Sequence, residues 1–291
     1  MLITTSYTLQ IVLIGTALLG LASGLSGTFA VLRKESLIGD GLAHAALPGV
    51  VLAFLLTGIK DIEILLLGAL VSSVCAALCI SITTKYTKIH FDAALATWLS
   101  AFFGLGMVLL TYVQGLNNAA QAGLSKFIFG QAATMVFRDV VASSIVAAVI
   151  IATVLLFWKE LKLIAFDMEY AKTLHIPVEF IQFVYRTMLM LTIIIGIQSV
   201  GAILMSSLLI APAVGARQWT NRLGIMSLLA ALFGTASCMA GVYVSAIVPN
   251  MPTGPALIVV LSIIVLISLL IAPNRGILWR LYKRYTEKYE L

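Results

Sequence analysis

Apolar runs of about twenty residues recur from one end of this 291-residue chain to the other, and that recurrence constrains its fold more than any other feature. A helix of ~20 apolar residues crosses the ~30 Å hydrocarbon core of a bilayer while satisfying its own backbone polar groups. Reading the runs between charged and turn-forming breaks predicts spans near residues 8–32, 37–58, 62–84, 93–113, 137–158, 181–198, 202–216, 224–247 and 254–273. The expected fold is therefore all-α: a polytopic integral membrane bundle of eight or nine transmembrane helices. It forms one membrane domain over 1–291 with a short cytoplasmic helix near 166–178 and no soluble domain. Composition agrees, because 61% of residues are hydrophobic and 10% charged, against about 25% charged in soluble domains.

Two features set the crossing count and its direction. The stretch 181–216 is too long for one straight crossing, since a helix of that length would measure ~54 Å, and the break Gln198-Ser199-Val200-Gly201 divides it into two short helices or a re-entrant pair. Nine crossings that start outside place Arg33, Lys34, Lys85, Lys88, Lys159, Lys162, Lys172, Arg217, Arg222, Arg275, Arg280, Lys283, Arg284 and Lys288 in the cytoplasm. They leave Lys60, Lys126 and Arg138 outside, the asymmetry that sets membrane orientation. The N-terminus is then outside and the C-terminus cytoplasmic. The net charge of +6 is spread thinly over loops, so no nucleic-acid partner is needed to explain it. The first basic residue is Arg33, so the N-terminal run is expected to stay as a span. Residues 122–136 are expected to form a short helix at the outer face.

Small residues Gly20, Ser23, Gly24 and Gly27 predict close approach of another helix to the first span. Cys75, Cys79 and Cys238 are too few for a disulfide framework and are expected to pack as small buried residues, as is Met239. Arg186 is expected to reach the cytoplasmic headgroups.

Ionisable groups inside a membrane span are costly and face a cavity or a partner. In SLIGDGLAHAALPG, Asp40 and His44 lie four residues apart and project from one helix face. A carboxylate oxygen and an imidazole nitrogen suit a first-row divalent ion, and the lack of thiolate favours a harder metal. The alternative is a hydrogen bond that pins this helix to a neighbour. Gly39, Gly41, Gly49 and Pro48 thin and loosen the helix as the wall of a passage would require. Asp92, in KIHFDAALATWLS, serves either as a helix-start residue that interacts with the dipole or as a further metal ligand.

The interval 159–180, KELKLIAFDMEYAKTLHIPVEF, is the longest predicted cytoplasmic loop. Phe166, Tyr170 and Leu174 share one face at four-residue spacing while Asp167, Glu169 and Lys172 point elsewhere, and Pro177 is expected to stop the helix. Such a helix either rests on lipid headgroups or docks a cytoplasmic partner. The chain contains no GxxxxGK[ST], GxSxG or HExxH run, so it is not expected to be an enzyme, and energy for transport comes from a partner or an ion gradient. A proton- or sodium-coupled secondary transporter that uses Asp40 and His44 as a relay is the rival from another class. An intramembrane hydrolase with His44 as base lacks a nucleophile.

The run SLIGDGLAHAALPG from Ser36, with FDMEYAKTLHIPV from Phe166, SVGAILMSSLLIAPAVGAR from Ser199 and MPTGPALIVVL from Met251, resembles the membrane permeases of metal-chelate-type ABC importers, the ABC-3 family. The resemblance implies a homodimeric permease in a bacterial cell membrane. Two cytoplasmic ATPase subunits would sit below it and an extracellular metal-binding protein above. By that likeness Asp40 and His44 are ligands on the translocation path. Phe166 to Val178 is the coupling segment, with Phe166, Asp167, Glu169, Tyr170 and Leu174 at the partner surface. The position of Asp92 often carries an acidic residue in the family. The cargo implied is manganese, with zinc or iron as alternatives, and no cofactor is held permanently. The outer loop VPNMPTGP departs from expectation in carrying no carboxylate, which leaves the metal's entrance unassigned.

Overall fold

The computed structural model describes residues 7–58, 61–115, 130, 132, 135–249, 251–273 and 275–279. The described chain runs as helices α1 (Tyr7–Leu32), α2 (Ile38–Thr57), α3 (Ile62–Tyr86), α4 (Phe91–Gly115), α5 (Phe137–Leu156), α6 (Trp158–Phe166), α7 (Met168–Thr173), α8 (Val178–Val200), α9 (Ala202–Trp219), α10 (Leu223–Ile247) and α11 (Thr253–Ile271). Eight of them, α1 to α5, α8, α10 and α11, are long and apolar enough to cross a membrane. The expected membrane bundle is thus present.

Successive long helices run between two ends of the bundle. At one end the Arg138 side chain pairs with Glu63, and Gln198 Nε2 donates to Asp139 Oδ1 at 2.7 Å. At the other, Arg33 lies over the Tyr185 ring at 4.9 Å, Phe29 meets Trp158 edge-on at 6.3 Å, and Lys85 pairs with Glu179 at 3.6 Å. The break predicted after Gln198 falls at Gly201, whose φ of 95° and ψ of 159° suit only glycine. The chain reverses there, since a Cβ on Gly196 would strike the Met205 side chain nine residues on. α9 then returns to the end at which α10 starts beside Trp158. It is not among the eight helices long and apolar enough to cross a membrane.

The small-residue face of α1 is covered as its spacing predicts. Gly20 lies against the backbone of Gly234, Gly24 against Ala230 and Gly27 against Leu209, so α10 and α9 approach without intervening side chains. Ser26 and Thr192 hydroxyls meet at 3.1 Å and tie α8 to the same helix. Two small expectations are corrected. Cys75 is exposed on the outer side of α3 and Met239 is 48% exposed, since those faces look outward, while Cys238 is buried. Arg186, expected to reach the headgroups, donates to Ser81 Oγ on α3 at 3.2 Å. The predicted outer helix at 122–136 falls largely outside the described residues, as do Lys60, Lys126 and the cations from Arg280 onward.

Candidate functional site

α2 is the most enclosed of the spans, and two positions break its enclosure. From Ile38 to Val51 every residue is buried except Asp40 and His44, which keep 37% and 20% of their side chains exposed. A buried helix whose ionisable residues alone stay open is the pattern of a polar passage. The α-helical period does the rest, because four residues bring the two groups to one face. His44 Nε2 lies 3.3 Å from Asp40 Oδ1.

Neighbouring helices complete the surroundings. Ser206 on α9 hydrogen-bonds the Asp40 carboxyl, which ties the first turn of α2 to the helix that follows the Gly201 reversal. On the other side the Phe103 ring of α4 stands edge-on to the imidazole, with centroids 4.7 Å apart and planes at 71°. Gly39 and Gly41 make room for this packing, since a Cβ on either would meet Leu209 or Leu95 at 2.6 and 2.8 Å. Pro48 has no N–H to offer the His44 carbonyl. The helix is held from outside instead, by Ser72 Oγ donating to the Ala45 carbonyl at 2.6 Å and Ser73 Oγ to that of Leu42 at 3.2 Å. The pair is accessible, and its carboxylate also bonds a neighbouring helix.

Chemically the site offers one carboxylate, one imidazole and a hydroxyl. These are ligands for a hard or borderline divalent ion and too few to enclose one. Asp92 does not join them. It is exposed in the first turn of α4, where a negative charge complements the helix dipole. Among the described residues no three of His, Cys, Asp and Glu converge on a point. Sequence reasoning missed Ser206 and Phe103, since neither carries a local signal that sets it apart from its apolar surroundings.

The predicted cytoplasmic helix is two pieces. Phe166 ends α6, and Asp167 is the cap of the short α7, its Oδ1 accepting from the Tyr170 N–H at 2.9 Å. The capping aspartate interrupts what spacing alone read as one continuous face. Phe166, Tyr170 and Leu174 are nonetheless exposed, at 62%, 53% and 51%, at the end of the bundle that collects Arg33, Lys85 and Arg222. Glu169 and Lys172 pair with each other at 2.7 Å beside them. The helix stops at Thr173, ahead of His175 with its φ of 57°, and Pro177 instead precedes α8.

The chain matches a sequence model of the ABC 3 transport family over residues 5–272. It is 49% identical over 280 residues to the zinc transport system membrane protein TroC of Treponema pallidum, covering 96% of this chain and 94% of that protein. It is 44% identical over 268 residues to the manganese transport system membrane protein MntC of Bacillus subtilis, covering 92% of this chain and 62% of that longer protein. Among solved structures, PsaBC from Streptococcus pneumoniae in complex with Fab superposes with a TM-score of 0.81 at 31% identity, covering 93% of this chain and 94% of that chain.

Proposed function

This chain belongs to the ABC 3 transport family, and from that membership we propose that it is the membrane permease of an ATP-driven importer that takes up manganese into a bacterial cell. The observation that carries the reading is the Asp40–His44 pair, the one open polar face on an otherwise buried span. Metal delivered from an extracellular binding protein exchanges onto this carboxylate and imidazole. So few protein ligands keep the stay short, as conduction requires. The pair also lacks cysteine, which favours manganese over softer ions.

Energy comes from separate ATPase subunits, since the chain has no phosphate-binding loop of its own. The exposed Phe166, Tyr170 and Leu174 form their docking surface on the cation-rich, cytoplasmic end. Two copies of the chain enclose the path, with the N-terminus outside. Zinc is the second reading, favoured by the similarity to the zinc system protein of Treponema pallidum.

Uptake by membrane vesicles containing the permease with its ATPase, comparing manganese, zinc and iron, tests the proposal. Asp40→Ala is expected to lower uptake by at least about 100-fold, the scale on which metal sites respond to lost partners, while assembly with the ATPase is unchanged. Normal uptake by that variant would sink the site. Uptake driven by an ion gradient without the ATPase would point to a secondary transporter.

A further inference from the structure

The imidazole of His44 needs something to aim it. A histidine ring turns easily about its Cβ–Cγ bond, because that torsion has a broad, twofold profile. Histidines that bind metal usually have the turn fixed by a hydrogen bond from the second ring nitrogen to a carboxylate, carbonyl or water. Among the described residues the ring has one polar partner, Asp40, whose Oδ1 lies 3.3 Å from Nε2. That is long for a hydrogen bond between charged partners, ~2.7–2.9 Å. It matches the edge of a coordination shell, since two ligands ~2.1 Å from one ion and ~90–110° apart lie ~3.0–3.4 Å from each other. The pair stands at the separation that one ion between them requires.

What meets the imidazole besides Asp40 is an aromatic ring. Phe103 of α4 stands edge-on to it with centroids 4.7 Å apart, at the near end of the ~4.5–7 Å range of aromatic pairs. Turning the imidazole at that distance drives it into the phenyl ring.

Phe103 is itself held in place. On one side Leu95 fills the space left by Gly41, where a Cβ would lie 2.8 Å from it. On the other, Gly106 comes so close to α2 that a Cβ would meet Leu47 and Pro48 at 3.0 Å. These contacts bracket His44 along α2 and Phe103 along α4. Trp98 Nε1 donates to Thr83 Oγ1 at 2.9 Å, which ties α4 to α3 as well. Filling the core does not account for the ring. Leu110, seven residues on and so on the same face of α4, is 4% exposed, whereas Phe103 is 37% exposed. Phe103 therefore borders the opening at which Asp40 and His44 are exposed too.

Resting on the transport reading above, we propose that Phe103 is a positioning residue: its ring holds the His44 imidazole in the orientation that lets Nε2 and Asp40 Oδ1 take one divalent ion between them. It supplies no ligand. Without the flat ring both ligands remain, but the imidazole is free to turn away from Asp40.

Phe103→Leu keeps an apolar side chain and removes the ring, while Phe103→Tyr keeps the ring. Each is assembled with its ATPase in lipid nanodiscs, and manganese and zinc binding are measured by isothermal titration. The same complexes in liposomes give the KM and maximal rate of ATP-driven uptake. Phe103→Leu is expected to weaken binding of both ions about tenfold and to raise KM alike, the scale on which sites respond to lost orienting partners, with maximal rate and thermal midpoint unchanged. Phe103→Tyr is expected to match the parent. With cobalt as a spectroscopic stand-in, the visible absorption of Phe103→Leu is expected to shift toward that of His44→Ala, the mark of a displaced imidazole. Parent-like affinity in Phe103→Leu overturns the proposal. So does a Phe103→Tyr variant that fails as leucine does, or a loss that follows the thermal midpoint and so marks a merely structural role. Those results leave the metal site standing. If the parent binds neither ion, or Asp40→Ala binds both as the parent does, the transport reading itself fails and the role of Phe103 with it.

Discussion

On the proposed reading, a divalent ion held by Asp40 and His44 would keep most of its coordination shell for water or a passing donor, so small changes in how the two groups are aimed should matter. His44 is the nearer partner of the carboxylate, and Ser206 interacts with it from a different helix. Ser206→Ala is expected to weaken metal binding about tenfold while the protein folds normally, in line with the loss of other partners that orient ligands. Isothermal titration with manganese on the purified permease measures it, and unchanged affinity would show that Ser206 only packs. Asp40 and His44 were legible in the sequence because ionisable side chains are rare inside apolar spans. Ser206 was not, since Ser206 and Ser207 look alike until Gly201 turns α9 back toward α2.

At the level of helices, the decisive residue is Gly201. Its backbone lies in a region that side chains avoid, and it turns one overlong apolar stretch into α8 and α9. Gly201→Ala is expected to cost about 1–3 kcal/mol, the usual strain of forcing a side chain into such a conformation. The thermal midpoint in detergent should fall accordingly, and an unchanged midpoint would mean that the reversal tolerates a different geometry. The sequence announced this break through length, because a helix of ~54 Å does not fit one bilayer crossing. It announced the α1 contact face through small residues at four-residue spacing. It misled at Asp167, where periodicity suggested one amphipathic helix and the side chain instead capped a new one. Local capping is a geometric competition that a face count does not register.

For the whole molecule, the cations of the described residues collect mostly at one end. Asp61, Glu63, Arg138 and Asp139 gather near the Gly201 reversal, while Arg33, Lys34, Lys85, Lys172 and Arg222 gather opposite. A cysteine introduced at Arg138 should therefore react with a membrane-impermeant thiol reagent added to intact cells, and one at Lys172 should not. The reverse pattern would invert the proposed orientation. The packing of α1 carries a further consequence. Its glycine groove is closed by Leu209, Ala230 and Gly234, residues made only after most of the chain has been synthesised. Until then the first helix in the bilayer waits with its principal seam unfilled. Biogenesis must either shelter that seam or fill it temporarily with lipid. A chain whose synthesis stops before α10 would present an open helix surface to the cell's membrane proteases.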